Sequence, residues 1–290
     1  MSTDHHKRLE AALTRIYASI SRRPSRSYYE SQLRNWRDEI VSHELIAAQL
    51  LQQLQKWTSS KTYCRILDVG CGTGDLVLAF AKNTSATGID IDHQFIKAAK
   101  LKAVYLRRKK ARFFVARAEN LPFPDNYFDL VVCKTTLEHV NDVEKAISEM
   151  VRVLKPGGWM YIEAPNYFWI WEGHYGLFMF PLLPKSLFKL YARLVGKDPA
   201  FIQYINYLTP WQLEHLMKKF GLWFKNLSPE RYRRIMTHPE ELSKDSKPRH
   251  FWLLRILSRI GLSQLLSALM LSLKFYPSLI YLAQKPKGAN

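Results

Sequence analysis

The chain has 290 residues, 47% of them hydrophobic and 23% charged, which places it among ordinary globular proteins and excludes wholesale disorder. Its net charge of +18 favours anionic partners, and residues 166–290 alone carry +11 with 18 basic and seven acidic groups. Three cysteines, Cys64, Cys71 and Cys133, form no CxxC pair, so neither a disulfide framework nor a zinc site is expected.

The N-terminus (MSTDHHKRLE) is polar and lacks the apolar run of a signal peptide. Residues 5–20 and 28–57 read as helices broken around Pro24, the second with apolar positions from Leu33 to Trp57 at roughly helical spacing. From Cys64 the pattern changes. Strands are predicted at 64–69, 86–91, 111–116, 127–133 and 158–164, with helices at 75–82, 92–104 and 142–154. Such alternation implies a parallel sheet with right-handed crossovers and helices on both faces.

After the fifth strand the alternation stops over 166–208, a stretch dense in aromatics and too long for a simple connection, and so expected to be a lid. Thr209-Pro210-Trp211-Gln212 then has the chemistry of a helix start, with Thr209 as N-cap and Pro210 at the first helical position. That helix ends near Phe220-Gly221, and strands follow at 222–228 and 278–284. Between them lies a second insert, 229–276, holding an apolar helix over 251–273 with Arg255, Arg259, Ser263, Ser267 and Lys274 as a narrow polar stripe. Such a helix suits a membrane surface, a buried cap or a subunit contact. No uncharged apolar run reaches the roughly 18 residues a bilayer span needs. The expected organisation is an N-terminal helical cap (1–60), a ligand-binding core (61–165), a lid (166–208), the rest of the core (209–228 and 277–286) and a helical insert (229–276).

Ile66-Leu67-Asp68-Val69-Gly70-Cys71-Gly72-Thr73-Gly74-Asp75 follows a predicted strand and opens a helix. Alternate glycines let the backbone turn tightly and approach a ligand, and the helix N-terminus behind offers free N–H groups. A dinucleotide fingerprint needs glycine where this chain has Asp75, which weakens a nicotinamide or flavin reading. Gly88-Ile89-Asp90-Ile91-Asp92 closes the second strand, with Asp90 placed to accept two ribose hydroxyls. The stretches Arg117-Ala118-Glu119-Asn120-Leu121-Pro122-Phe123-Pro124-Asp125 and Met150-Val151-Arg152-Val153-Leu154-Lys155-Pro156-Gly157-Gly158 then arrive in order.

Taken together these segments resemble the class I S-adenosylmethionine-dependent methyltransferases, specifically over 64–164 and more loosely over 209–228 and 278–286. The small-molecule enzymes of ubiquinone and menaquinone biosynthesis and of glycan clusters are the most similar in kind. The resemblance implies an α/β fold, a Rossmann-like seven-stranded mostly parallel sheet with helices on both faces, plus N-terminal helices and a helical lid from the two inserts. It implies S-adenosyl-L-methionine as cofactor, held by Asp68, Gly70, Cys71, Gly72, Gly74, Asp90, Ile91, Ala118, Glu119 and Lys134, with Ile91 against the adenine. Arg117 departs from the family, whose members often carry an acid there. Arginine accepts no hydrogen bond, so adenine recognition is expected to fall to the backbone near Ala118 or to Glu119.

Methyl transfer to a hydroxyl needs a base, and two histidines compete. His139, in Leu137-Glu138-His139-Val140, lies just past the fourth strand at the sheet's carboxyl edge. That segment resembles one in ubiquinone-biosynthesis O-methyltransferases that is associated with a metal. Thr135 and Thr136 replace a further acid there, and no metal is expected. His174, in Trp171-Glu172-Gly173-His174-Tyr175-Gly176, sits on the lid. The expected activity is methylation of a hydroxyl on a small, lipophilic or glycolipid-like acceptor, by a cytoplasmic protein with a peripheral membrane contact as one use of its basic, apolar C-terminal third. Two rival readings are a nucleic-acid methyltransferase, suggested by Arg107-Arg108-Lys109-Lys110-Ala111-Arg112, and a non-catalytic cofactor-binding partner.

Overall fold

The structure is a computed structural model that describes residues 11–13, 15, 16, 44–52, 54, 55, 63–181, 183–237 and 268–287. The chain divides into two compact units, Met1–Tyr161 with Gln284–Asn290, and Ile162–Ala283.

The first unit is built on β1 (Arg65–Val69), α1 (Asp75–Phe80), β2 (Ser85–Asp90), α2 (His93–Tyr105), β3 (Ala111–Val115), β4 (Phe128–Lys134), α3 (Val143–Val153) and β5 (Leu154–Pro165). β1 pairs in parallel with β2 and β4, and β2 with β3. The order of the seven-stranded sheet is β3-β2-β1-β4-β5-β9-β8, so the connection reverses direction between β1 and β4. Open α/β sheets bind ligands in the crevice at such a reversal, beyond the carboxyl ends of the strands.

The helices start where the side-chain chemistry says they should. Asp92 caps α2 by accepting from the Gln94 N–H at 2.8 Å, and Asp142 caps α3 through Lys145 N–H at 3.0 Å. α3 buries Ala146, Ile147, Met150 and Val153 on one face. Residues 11–16 and 44–55 are helical where described; Leu13 and Ile16 pack on Ala98 of α2, and Glu44 pairs with Arg108 and Lys82. The break around Pro24 and the helix expected over 28–43 lie outside the described residues.

β5 begins at Leu154, earlier than the 158 expected, because Lys155-Pro156-Gly157-Gly158 continues the strand instead of turning. Gly157 N–H donates to Lys285 O at 2.9 Å and Lys285 N–H to Gly158 O at 3.0 Å, while Asn166 N–H reaches Pro277 O. β9 (Ser278–Gln284) therefore runs antiparallel to β5. The Lys285 ammonium closes the carbonyls of Val151 and Leu154, at 2.9 and 2.8 Å.

The second unit continues from the end of β5 with a hairpin of β6 (Trp171–Glu172) and β7 (Leu177–Phe178), then α4 (Lys185–Leu194), a 3-10 turn at Pro199–Tyr204, α5 (Pro210–Lys219), β8 (Trp223–Asn226) and α6 (Ser228–Thr237). The aromatic stretch after β5 has a core of its own, with Tyr167, Met179, Phe188, Ala192, Ile202 and Ile205 packed together. Thr209 and Gln212 form the reciprocal capping box that opens α5, with Pro210 in its first turn. Asn166 is buried and satisfied, donating to Lys274 O and Tyr276 O and accepting from Phe168 N–H. Most of the apolar helix expected over 251–273 lies outside the described residues, which resume at 268. Among the described residues, no helix is long and apolar enough to cross a membrane.

Candidate functional site

The loop after β1 is held open by its own backbone. Gly70 and Cys71 N–H groups both donate to Ile89 O at 2.8 Å, which ties the loop to the end of β2. Gly70, Gly72 and Gly74 all have positive φ, +76°, +50° and +81°, where side chains are strained. Their surroundings differ. A Cβ on Gly70 would lie 2.1 Å from Thr136 Oγ1, and one on Gly74 would lie 2.6 Å from the Phe113 ring, so both glycines are fixed by packing. A Cβ on Gly72 would meet nothing within 4 Å. Gly72 is thus the glycine whose bareness faces open space.

Two buried carboxylates stand at the ends of β1 and β2. Asp90 accepts from Gly72 N–H and Asp92 N–H, both at 2.9 Å, so each of its oxygens holds one backbone donor. Burial, reinforced by Asp90 and opposed by Lys134 at the end of β4, pushes the Asp68 carboxyl up to about 7. Burial, with Asp68 and Asp90 beside it, also pushes the Cys71 thiol up, which disfavours its thiolate. Ile91 is 61% exposed immediately beside Asp90, an apolar side chain left in water.

Beyond β3, Ala116 N–H donates to Asp90 O at 3.0 Å, which leads the chain from the β2 carboxylate to the buried Ala118 and Glu119. Glu119 accepts from Asn141 N–H at 2.7 Å and pairs with Arg117 at 3.4 Å. Burial raises its carboxyl, but its own backbone N–H, those of Asn141 and Asp142, and Arg117 outweigh this and hold it below the usual range. Arg117 thus faces Glu119 as a partner, in keeping with an inability to accept from adenine.

At the end of β4, Thr135 takes φ +49°, uncommon for a β-branched residue, and Thr136 fills the space above Gly70. Strain of this kind clusters at functional sites. Neither threonine was singled out for this role by the sequence pattern. His139 ends a 3-10 turn, Leu137–His139, with its ring exposed and its N–H on Thr136 O at 2.8 Å.

A further residue hidden from the sequence reading is Lys102 on α2, fully buried. Its ammonium donates to Thr73 Oγ1 at 2.9 Å and Asp75 Oδ1 at 2.8 Å, and the Thr73 hydroxyl donates to Asp75 Oδ2 at 2.7 Å. This closed triad pins the last residues of the glycine loop to the helix behind it.

In the second unit, His174 follows β6 in the turn of the small hairpin. Its Nδ1 lies 2.6 Å from Oε1 of the buried Glu172, which also accepts from the backbone N–H groups of His174 and Tyr175. With Nδ1–H donating to Glu172, the neutral ring keeps its lone pair on Nε2. The Glu-x-His spacing was the available signal for Glu172, but no sequence rule marks it as buried.

Residues 67–162 match the model of a methyltransferase domain. The core carries a methyltransferase domain. Proteins similar to this methyltransferase-domain chain include the ubiquinone/menaquinone biosynthesis C-methyltransferase UbiE of Psychromonas ingrahamii, 34% identical over 149 residues, which are 49% of this chain and 57% of that one. The UbiE of Rickettsia massiliae is 39% identical over 124 residues, 40% of this chain and 48% of that one. The chain spans about half the length of these curated relatives. Among solved structures, YcgJ of Bacillus subtilis superposes with a TM-score of 0.52 at 20% identity, covering 82% of this chain and 98% of that one. The Haemonchus contortus phosphoethanolamine N-methyltransferase 2, in complex with phosphomonomethylethanolamine and S-adenosylhomocysteine, gives 0.50 at 23% identity, covering 82% and 52%. At that identity the structures establish the methyltransferase fold.

Proposed function

We propose that this chain transfers a methyl group from S-adenosylmethionine to a small, lipophilic or glycolipid-like acceptor. The observation that carries the reading is the pairing of bare Gly72 with the buried carboxylates Asp68 and Asp90. A sulfonium cofactor with an ammonium group is a fitting occupant: it brings positive charge to a carboxylate that burial and a like-charged neighbour have made costly to ionise. Its ribose hydroxyls would donate to the Asp90 carboxylate at the end of β2, and its adenine would cover Ile91 and meet the backbone at Ala118 and Glu119. When bound, the cofactor would supply an electrophilic methyl group, with Asp68, Asp90 and the loop at Gly72 holding it.

For a hydroxyl acceptor the proton would go to His174 Nε2, the nitrogen its bond to Glu172 leaves with a lone pair; His139 is the other candidate base. A second reading, carbon as the acceptor atom, is favoured by the C-methyltransferase activity named for the UbiE relatives. The test is titration calorimetry with S-adenosylmethionine on wild type and Gly72→Val, followed by incubation of an extract with isotopically labelled cofactor. Binding by wild type and a large loss in Gly72→Val are expected, with label in the lipid-soluble fraction as an O- or C-methyl resonance. Equal affinity in both proteins would overturn the cofactor assignment, and label in the nucleic-acid fraction would overturn the acceptor class.

A further inference from the structure

The second unit keeps an apolar face in water. On α4, Phe188 and Ala192 turn inward to the aromatic core, while Leu187, Leu190 and Leu194 are 52%, 53% and 77% exposed. At about 100° per residue these three leucines form one stripe opposite Phe188 and Ala192. Phe178 and Phe180, just before the helix, are also exposed. An exposed leucine is ordinary; a stripe of them with neighbouring phenylalanines is a contact surface.

The charge around the stripe says what it contacts. Residues 173–197 contain Lys185, Lys189, Arg193 and Lys197 and no aspartate or glutamate. Lys189 and Arg193 lie along one flank of the leucines by the same helical spacing. A leucine stripe beside an all-basic flank is the composition of a helix that lies in an anionic membrane surface. A second copy of the chain is disfavoured as occupant, since an isologous contact would bring two wholly basic faces together.

We infer that α4 and the preceding Phe178-Met179-Phe180 segment form a docking surface for an anionic lipid bilayer. The leucines and phenylalanines enter the acyl boundary, and Lys189, Arg193 and Lys197 meet the headgroup phosphates. This places a membrane contact within the stretch 166–208. It does not depend on the proposed methyl transfer.

The experiment is co-sedimentation of the full chain with phosphatidylcholine vesicles, with and without phosphatidylglycerol, at low and high salt. Wild type should sediment with the anionic vesicles at low salt, weaken as salt rises, and stay free of the neutral ones. Leu190→Ser/Leu194→Ser should lower partitioning on the order of tenfold or more, because each leucine loses its transfer from water. Lys189→Gln/Arg193→Gln should lower it roughly tenfold or more and flatten the salt dependence, since each cation near an anionic surface is worth about a fivefold factor. All four positions face solvent or the flank, and unchanged melting curves confirm that both variants fold. Wild type remaining in the supernatant at low salt would overturn the inference. So would wild-type binding by both variants, or light scattering in which wild type is a dimer and the leucine variant a monomer. No arm reads methyl transfer, so this outcome and that of the proposed activity are separable.

Discussion

Replacing Lys102 by methionine removes the only charge in the triad able to balance Asp75 while leaving the volume of the side chain nearly unchanged. Lys102 is fully buried and Asp75 is 6% exposed, so water cannot reach in to compensate. Breaking a buried pair by removing one partner typically costs about 3–5 kcal/mol, because the remaining charge is stranded. For a unit of this size each kcal/mol moves the melting temperature by roughly 2–4 °C, so Lys102→Met should melt on the order of ten degrees lower. The double variant Lys102→Met/Asp75→Asn should recover a large part of that loss, since asparagine keeps an acceptor for Thr73 without the charge. A double-mutant cycle followed by circular dichroism measures the coupling, expected at about 2 kcal/mol or more. If Lys102→Met melts within a few degrees of wild type, or the two substitutions add without coupling, the triad is not holding the loop.

Gly70→Ala should destabilise the fold by about 2–5 kcal/mol, since its Cβ meets Thr136 at a φ side chains rarely adopt, and Thr136→Gly added to it should restore part of the loss in denaturant titrations. Gly72→Ala should lose only about 1–2 kcal/mol, the strain of a side chain at its φ of +50°, because its Cβ meets nothing, yet bind S-adenosylmethionine more weakly by calorimetry. Asp68, pushed up to about 7, holds its proton more tightly folded than unfolded, so its contribution is fully present below about pH 4 and is lost as pH rises through 7. Asp68→Asn should therefore flatten the fall in melting temperature between those values and gain relative stability at pH 8; an unchanged wild-type-minus-variant difference across that range would contradict it. His174→Gln should lower turnover by roughly 10²–10⁴ with cofactor affinity intact, and the same assay on His139→Gln shows which ring takes the proton.

The strands and helices of the core were legible because each has a local signature. β9 spans Ser278–Gln284 as expected, and α5 opens at Pro210 behind a Thr-Pro-x-Gln start whose two reciprocal hydrogen bonds both form. The glycine loop and Asp90 were legible for the same reason: backbone conformation and a carboxylate at a strand end are written in neighbouring residues. β5 was misjudged at its start because Lys155-Pro156-Gly157-Gly158 has the composition of a turn. What straightens it is Lys285, some 130 residues away, whose backbone and ammonium take up the hydrogen bonds a turn would have made.

The remaining features are the ones whose meaning depends on a third dimension. Lys102 looks like any lysine on an amphipathic helix until α2 brings it against Asp75, 27 residues back in the chain. Thr136 looks like a strand-end threonine until it fills the place where Gly70 has no side chain. The leucines of α4 are a sharper case, since Leu187, Leu190 and Leu194 have the same composition as a core stripe. Helical periodicity reports that leucines share a face but not which way the face points. The aromatic core of the second unit takes Phe188 and Ala192 instead, and once that larger aromatic anchor is buried the leucine stripe is turned outward by geometry alone. An apolar face exposed in this way carries a free-energy cost in water, of the order of 1.5–3 kcal/mol for each leucine fully buried elsewhere. A contact that removes it from water, beside a flank of uniform positive charge, is the arrangement in which such a helix costs the protein least.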